Sequence, residues 1–360
     1  MNELNIQLEN SLFSIPSIIQ NILPHYNLKN PTVSIIKFKD TDKQRAVYRI
    51  DVNNKSYCLK KVYYSVEELL YVYSAIEWLH RNNLNVPQLI PTTSGGRYVK
   101  FNEMYFILTP WINATKCDFD NKDHIISAAI ELGKLHKCST NFMPVIGSSY
   151  KESLNDFYLS TLKHFEQLLQ ISSFAFLYKD KFSKEYLVTF DKNLRLAEAS
   201  LRLAGKINSD KLSISLCHGD YVNKNILFSP NNELYIIDFD KCKKDYCAHD
   251  IAYFLRRLLK RDNTKWNLDL ALSFIKYYNS IHILSESDLK YILSYLAFPQ
   301  KYWKVSKNYY KDIQNDTKNI DNRLYLSTLN KSTKNLNHQI TFINEITSLM
   351  ERNNWNLNLL

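Results

Sequence analysis

Glycine and cysteine are both scarce in this chain, at 6 each in 360 residues. The cysteines (Cys58, Cys117, Cys138, Cys217, Cys242 and Cys247) are spread too widely for a disulfide scaffold. Cys242 and Cys247 lie near each other but lack a second Cys or His pair at matching spacing, so no zinc site is expected. No apolar run approaches the ~18 residues of a transmembrane helix, so no membrane span is expected. The opening Met1-Asn2-Glu3-Leu4 lacks the basic and apolar segments of a signal peptide. Synthesis in a reducing cytoplasm is the resulting expectation. Internal repeats and low-complexity linkers are missing as well. The basic residues behind the formal charge of +10 are scattered and never form a run of five or more. That pattern describes a Lys-rich surface better than a nucleic-acid partner, and none is expected.

What is present is an ordinary globular balance, 45% hydrophobic and 23% charged, over a length sufficient for two joined cores. Residues 1–30 read as a short helical entry interrupted at Pro16 and Pro24. From Val33 to Lys61 the pattern turns to β, in the runs 33–36, 46–50 and 57–60 separated by Asp40-Thr41-Asp42 and Asn53-Asn54, which suggests an antiparallel meander. Ser65 reads as a helix N-cap with Glu67 and Glu68 in the first turn. Leu69, Leu70, Tyr73, Ile76 and Leu79 form the apolar face of that helix. Residues 98–101 and 105–109 predict another hairpin. Beyond Asp118 the periodicity is helical, apart from two short β runs at 226–228 and 234–237. The spacing therefore predicts an α+β chain with a small antiparallel β-rich part, residues 1–112, and a large helical part, residues 113–360.

The chemistry concentrates in Cys217-His218-Gly219-Asp220-Tyr221-Val222-Asn223-Lys224-Asn225, followed by Ile237-Asp238-Phe239-Asp240. Phosphoryl transfer needs a carboxylate beside the attacking hydroxyl and oxygen ligands for a Mg²⁺ that bridges the phosphates. Asp220 sits in a loop after an apolar run, with Asn225 five residues on and Asp238 eighteen residues on, at the end of a hairpin. Each alone is an ordinary turn or cap residue. Together they match the spacing of a kinase catalytic loop (218–225) and metal-binding segment (237–240), with Asp220 catalytic and Asn225 and Asp238 on the metal.

The block resembles the aminoglycoside phosphotransferase and choline-kinase-like superfamily, in which His-Gly-Asp is followed by Asn and then by a strand-end Ile-Asp-Phe or Ile-Asp-Trp. Within it the chain resembles the CotS family of bacterial spore coat proteins. Three segments carry that narrower likeness: Ile237-Asp238-Phe239-Asp240, Asp250-Ile251-Ala252-Tyr253-Phe254-Leu255-Arg256-Arg257, and Phe298-Pro299-Gln300-Lys301-Tyr302-Trp303 with Tyr309-Tyr310 beyond it. The resemblance runs from about residue 30 to about residue 345. It implies a two-lobed protein-kinase-like fold, with a hinge near 109–113, that uses ATP and Mg²⁺ as cofactors. The implied partners are a nucleotide, an unidentified hydroxyl acceptor and other spore coat proteins. It also implies Lys60 as the grip on the α- and β-phosphates, since neighbouring Lys61 should face the other side of its strand. Glu67 or Glu68 would pair with that lysine, or else serve only the helix dipole. The backbone of Thr109-Pro110-Trp111-Ile112 would receive the adenine. Asp250 and His218 would brace the catalytic loop, and His136 would be structural.

Two departures from the pattern stand out. Residues 38–45, where a protein kinase has its glycine-rich loop, contain no glycine. Val222 occupies a position where many relatives carry Lys or His. Two functions remain open on the sequence: a kinase acting on a hydroxyl of a small molecule, and a structural coat protein that keeps the fold with little turnover. Trp266, Tyr302, Trp303, Tyr309 and Tyr310 would wall the acceptor pocket in the first case or fill the core in either.

Overall fold

The computed structural model describes residues 12–39, 45–315 and 320–357. The glycine-free segment thus falls largely outside the described residues, at 40–44. Helix α1 (Ile15–Asn21) carries Pro16 in its first turn, where a missing N–H costs nothing, and Ser14 Oγ caps it. A proline that reads as an interruption therefore opens the helix. Strands β1 (Thr32–Lys39), β2 (Arg45–Val52) and β3 (Lys55–Val62) form the expected meander. Helix α2 (Val66–Arg81) starts at a capping box between Ser65 and Glu68. Strands β4 (Val99–Phe101) and β5 (Met104–Pro110) are joined by Asn102 and Glu103, both left-handed. The five strands make one antiparallel sheet in the order β1-β2-β3-β5-β4.

The short β6 (Thr115–Lys116) is followed by helices α3 (Lys122–Cys138), α4 (Phe157–Tyr178) and α5 (Lys181–Ala204). Then come β7 (Ile214–Cys217), β8 (Ile226–Phe228), β9 (Leu234–Ile236) and β10 (Lys243–Tyr246). Helices α6 (Cys247–Leu259), α7 (Leu268–Asn279), α8 (Glu286–Ala297), α9 (Gln300–Gln314), α10 (Asn322–Thr333) and α11 (Leu336–Arg352) complete the chain. No helix among the described residues is long and apolar enough to cross a membrane.

Where a single cut near residue 112 was expected, the compact units interleave. The first comprises 1–117, 141–151 and 224–242; the second comprises 118–140, 152–223 and 243–360. The hairpin β8–β9 belongs to the first because Thr115 and Lys116 pair with Phe228 and Leu227, a long-range pairing that local periodicity does not reveal.

Each unit has its own core. In the first, alternation along β2 buries Ala46, Tyr48 and Ile50 against Ile18, Leu59, Phe106 and Leu108, each large side chain contributing about 1.5–3 kcal/mol. In the second, α4, α5 and α9 bring Leu168, Phe182, Tyr186, Tyr302 and Tyr310 together. The phenols there find partners: Tyr302 donates to the Tyr186 carbonyl at 2.7 Å, and Tyr309 donates to Asp180 at 2.9 Å. Tyr302, Trp303, Tyr309 and Tyr310 are all buried, so these aromatics serve the core.

Candidate active site

The first unit gathers a charged cluster around Lys60. This residue lies mid-way along β3, opposite Val47 of β2 and Ile107 of β5. Its ammonium donates to Asp238 Oδ1 and to Asp240 Oδ1, each at 2.7 Å. The hairpin explains how Asn225 joins them. Ile226 pairs with Ile236, so the flanking residues come face to face, and the Ile237 N–H donates to the Asn225 carbonyl at 2.9 Å. Asp238 follows directly, in the left-handed conformation at φ 69°. A non-glycine residue held there is strained, and such strain collects at functional sites.

The three charged side chains differ in exposure: 20% for Lys60, 32% for Asp238 and 7% for Asp240. Burial works against the Lys60 ammonium, but the carboxylates of Asp240 and Asp238 outweigh it and raise its pKa. Oδ2 of Asp240 is buried with no hydrogen-bond partner among the described residues. An orphaned carboxylate oxygen costs free energy unless a ligand completes it. With Asp238 and the Asn225 amide beside the same cavity, the donors are all hard oxygens, a set that could hold Mg²⁺.

This cavity measures about 280 Å³ and lies wholly within the first unit. Its apolar walls include Val47, Ile107, Leu227 and Ile237, and its rim carries Thr109, Pro110, Trp111 and Ile112. Along that rim Pro110 has no N–H, and the Trp111 N–H is already given to the Ser56 carbonyl at 3.0 Å. Ile112 is the next amide along the segment. Lys61 points elsewhere in part, its Nζ standing 5.7 Å over the Phe13 ring.

Glu67 and Glu68 are a correction. Neither pairs with Lys60, whose ammonium is taken by the two aspartates. Glu68 instead accepts from the Ser65 N–H in the capping box and meets Lys151 at 3.7 Å. Lys151 in turn donates to the Asp240 carbonyl at 3.3 Å. Glu67 interacts with Ser65, and that hydrogen bond lowers its pKa. Both acids serve the helix start, the alternative that the sequence left open.

Asp220 lies in the second unit, at the end of β7, which pairs antiparallel with β10. The loop turns through Gly219 at φ 73°, a conformation that admits glycine readily. Asp250, in the first turn of α6, holds this turn with both oxygens. It accepts from the His218 N–H at 2.6 Å and from the Gly219 N–H at 2.9 Å. His136 Nε2 stands 3.4 Å from the same carboxylate, and its Nδ1 is 2.8 Å from the Tyr278 hydroxyl. Burial disfavours the Asp250 carboxylate, yet the hydrogen bond from His136 and the charges around it keep its pKa low. The Asp220 N–H donates to His218 Nδ1 at 3.2 Å, and Tyr221 anchors the loop to the Ala128 carbonyl at 2.8 Å. Asp250 and His218 are thus positioning groups for a buried Asp220.

The structure therefore brings Lys60, Asn225, Asp238 and the 109–112 segment around one cavity, with Asp220 braced separately in the second unit. Sequence reasoning missed Asp240 and Lys151. The one available signal for Asp240 was the second acid in Asp238-Phe239-Asp240, where Asp-Phe-Gly is the kinase pattern. Cys247, weighed on sequence only with Cys242, lies with Cys217 and His136, all three buried and with ligand atoms within 4.8 Å of one another.

The sequence profile of the phosphotransferase enzyme family matches residues 37–279. The chain belongs to that family. Among solved structures, an aminoglycoside phosphotransferase from Alicyclobacillus acidocaldarius subsp. acidocaldarius DSM 446 is 18% identical. The similarity covers 96% of this chain and 99% of that one, with a TM-score of 0.76. A spectinomycin phosphotransferase in complex with ADP and spectinomycin is 19% identical over 91% of this chain and 98% of its own, at a TM-score of 0.63. An amicoumacin kinase in complex with AMP-PNP and Ca²⁺ is 14% identical over 95% and 97%, at 0.60. These likenesses establish the fold of this family member as kinase-like α+β.

Proposed function

We propose that the chain is an ATP- and Mg²⁺-dependent phosphotransferase that acts on a hydroxyl of a small-molecule acceptor. One observation carries this: Lys60 is clasped by Asp238 and Asp240 beside Asn225, in a cavity that also offers apolar walls at Val47, Ile107 and Leu227. In this reading the adenine lies against Val47, Ile107 and Leu227 and accepts from the Ile112 N–H. Lys60 turns from the aspartates to the α- and β-phosphates. Asp238 and Asn225 would hold the cation, with Asp240 beside them; Mg²⁺ when bound would supply charge neutralisation at the phosphate oxygens. Asp220 takes the proton of the acceptor hydroxyl as its oxygen bonds to the γ-phosphorus, and the bond to ADP breaks with its electron pair on ADP.

The acceptor is proposed to be small because only residues 239–249 separate Asp238 from Asp250. They form one short turn, β10 and the first residues of α6. A protein kinase places a peptide-docking segment there. Association with the bacterial spore coat is part of the proposal, supported by the resemblance carried by 237–240, 250–257 and 298–303. A structural coat protein is the competing outcome.

Calorimetry with Mg·ATP, together with ATP-consumption screens of pooled metabolites, separates these. Asp238→Ala is expected to abolish Mg-dependent nucleotide binding. Asp220→Ala is expected to keep that binding and lower turnover about 10²–10⁴-fold. Equal loss of nucleotide affinity in both variants contradicts the division of roles. Absence of Mg·ATP binding in the native chain leaves the structural reading.

A further inference from the structure

A cavity of about 690 Å³ in the second unit is lined by seven Lys or Arg side chains and by no Asp or Glu. Arg261 is taken by Asp120 in a two-pronged ion pair at 2.9 and 2.7 Å. The other six are Arg256, Arg257, Lys260, Lys301, Lys304 and Lys331, and none has a carboxylate partner among the described residues. A nearby acid, Asp262, is engaged by Lys334 at 2.7 Å. Six uncompensated cations around one concavity repel one another, an arrangement that a fold pays for only if something of opposite charge relieves it.

The cations are also held in place. The Arg256 guanidinium lies 3.7 Å over the Tyr295 ring and donates to Gln300. Arg257 lies 5.2 Å over Tyr253 and donates to its hydroxyl at 2.9 Å. Stacked guanidinium planes present fixed forks that match phosphate oxygens, while the lysines add compact charges. Burial, and then Arg257, Lys301 and Arg256, push the Lys260 ammonium down to about 8, a sign that the crowding is felt.

We infer that this cavity binds a compact polyanion, a small molecule carrying several phosphate ester groups on one ring-sized frame. The cations converge on one concavity, whereas an extended nucleic-acid strand needs a stripe of charge along the surface. The inference stands apart from the phosphotransferase proposal, since it uses neither Lys60 nor Asp238 nor Asp220. The same phosphate ester chemistry could belong to an acceptor or to a separate ligand.

The test is calorimetric titration of the full chain with inositol hexakisphosphate, in magnesium-free buffer at two salt concentrations. Saturable one-to-one binding that weakens with salt is expected. The double variant Lys260→Gln/Lys304→Gln should bind at least tenfold more weakly. Both side chains are exposed, so folding is not at stake. A control double variant outside the cavity, Lys137→Gln/Lys184→Gln, should stay within twofold of the native chain. No binding, or equal weakening in both double variants, overturns the inference. So does a single-stranded oligonucleotide that displaces the probe and binds more tightly than it. If ATP turnover is found, its stimulation by the probe marks a separate ligand, whereas consumption of a phosphorylated ring compound marks an acceptor.

Discussion

The two cavities treat charge in opposite ways. In the first unit the cavity lining holds two acids as well as cations, and Lys60 meets both carboxylates at 2.7 Å. In the second, six cations share a concavity with no acid among its lining residues. The first arrangement is nearly satisfied within the protein, so a ligand that enters must exchange one set of bonds for another. The second is unsatisfied within the protein, so a ligand adds bonds where there was only repulsion. Removing a lysine should accordingly have opposite effects on stability at the two places.

The largest effect is expected at Lys60. Lys60→Met leaves two aspartates facing each other, one of them almost fully buried, and should cost about 3 kcal/mol in urea unfolding. Adding Asp240→Asn should recover part of that loss. If the double variant is no more stable than Lys60→Met, the two aspartates are not energetically coupled through the lysine, and the contrast weakens.

A smaller effect of opposite sign is expected at Lys260. Its folded pKa, about 8, lies below the ordinary 10.5. The unfolded chain therefore binds more protons between these values, and stability rises with pH across that window. The penalty is present in full below about pH 8 and is lifted as pH climbs toward 10.5. Lys260→Gln should thus raise the unfolding temperature at pH 7 by about 1–3 °C, a modest figure for an exposed and solvent-screened group. The gain should vanish near pH 10.5. Destabilisation at pH 7 would remove the distinction between the two cavities.

The sequence was most legible where structure is local. The meander at 33–60 announces itself by alternation, and Ser65 with its acids announces a capped helix. The hairpin around 229–232 fixes where Asn225 and Asp238 flank it. Pairings between distant segments left no such trace. Lys60 reaches residues 178 and 180 positions away, and β6 recruits β8 into the first unit from beyond three helices. Strand β10 reads Lys-Lys-Asp-Tyr, polar and without alternation, so nothing in its pattern marks it as the partner of β7. Both readings of Glu68 stayed open because a first-turn acid near a strand lysine looks the same whether it caps its helix or reaches across to that strand.

The first unit is assembled from pieces that the ribosome delivers at different times. Residues up to 117 emerge early, but 224–242 follow only about 125 residues later, a delay of roughly 6–25 s at ordinary elongation rates. Throughout that interval β6 has no β8 to pair with, and Lys60 has neither aspartate. A nascent chain halted at residue 223 would leave β6 without the sheet it forms with β8 and β9 and hold none of Asn225, Asp238 and Asp240. The Lys60 site therefore cannot exist on an incomplete polypeptide. Its charge cluster is completed only when translation has passed Asp240.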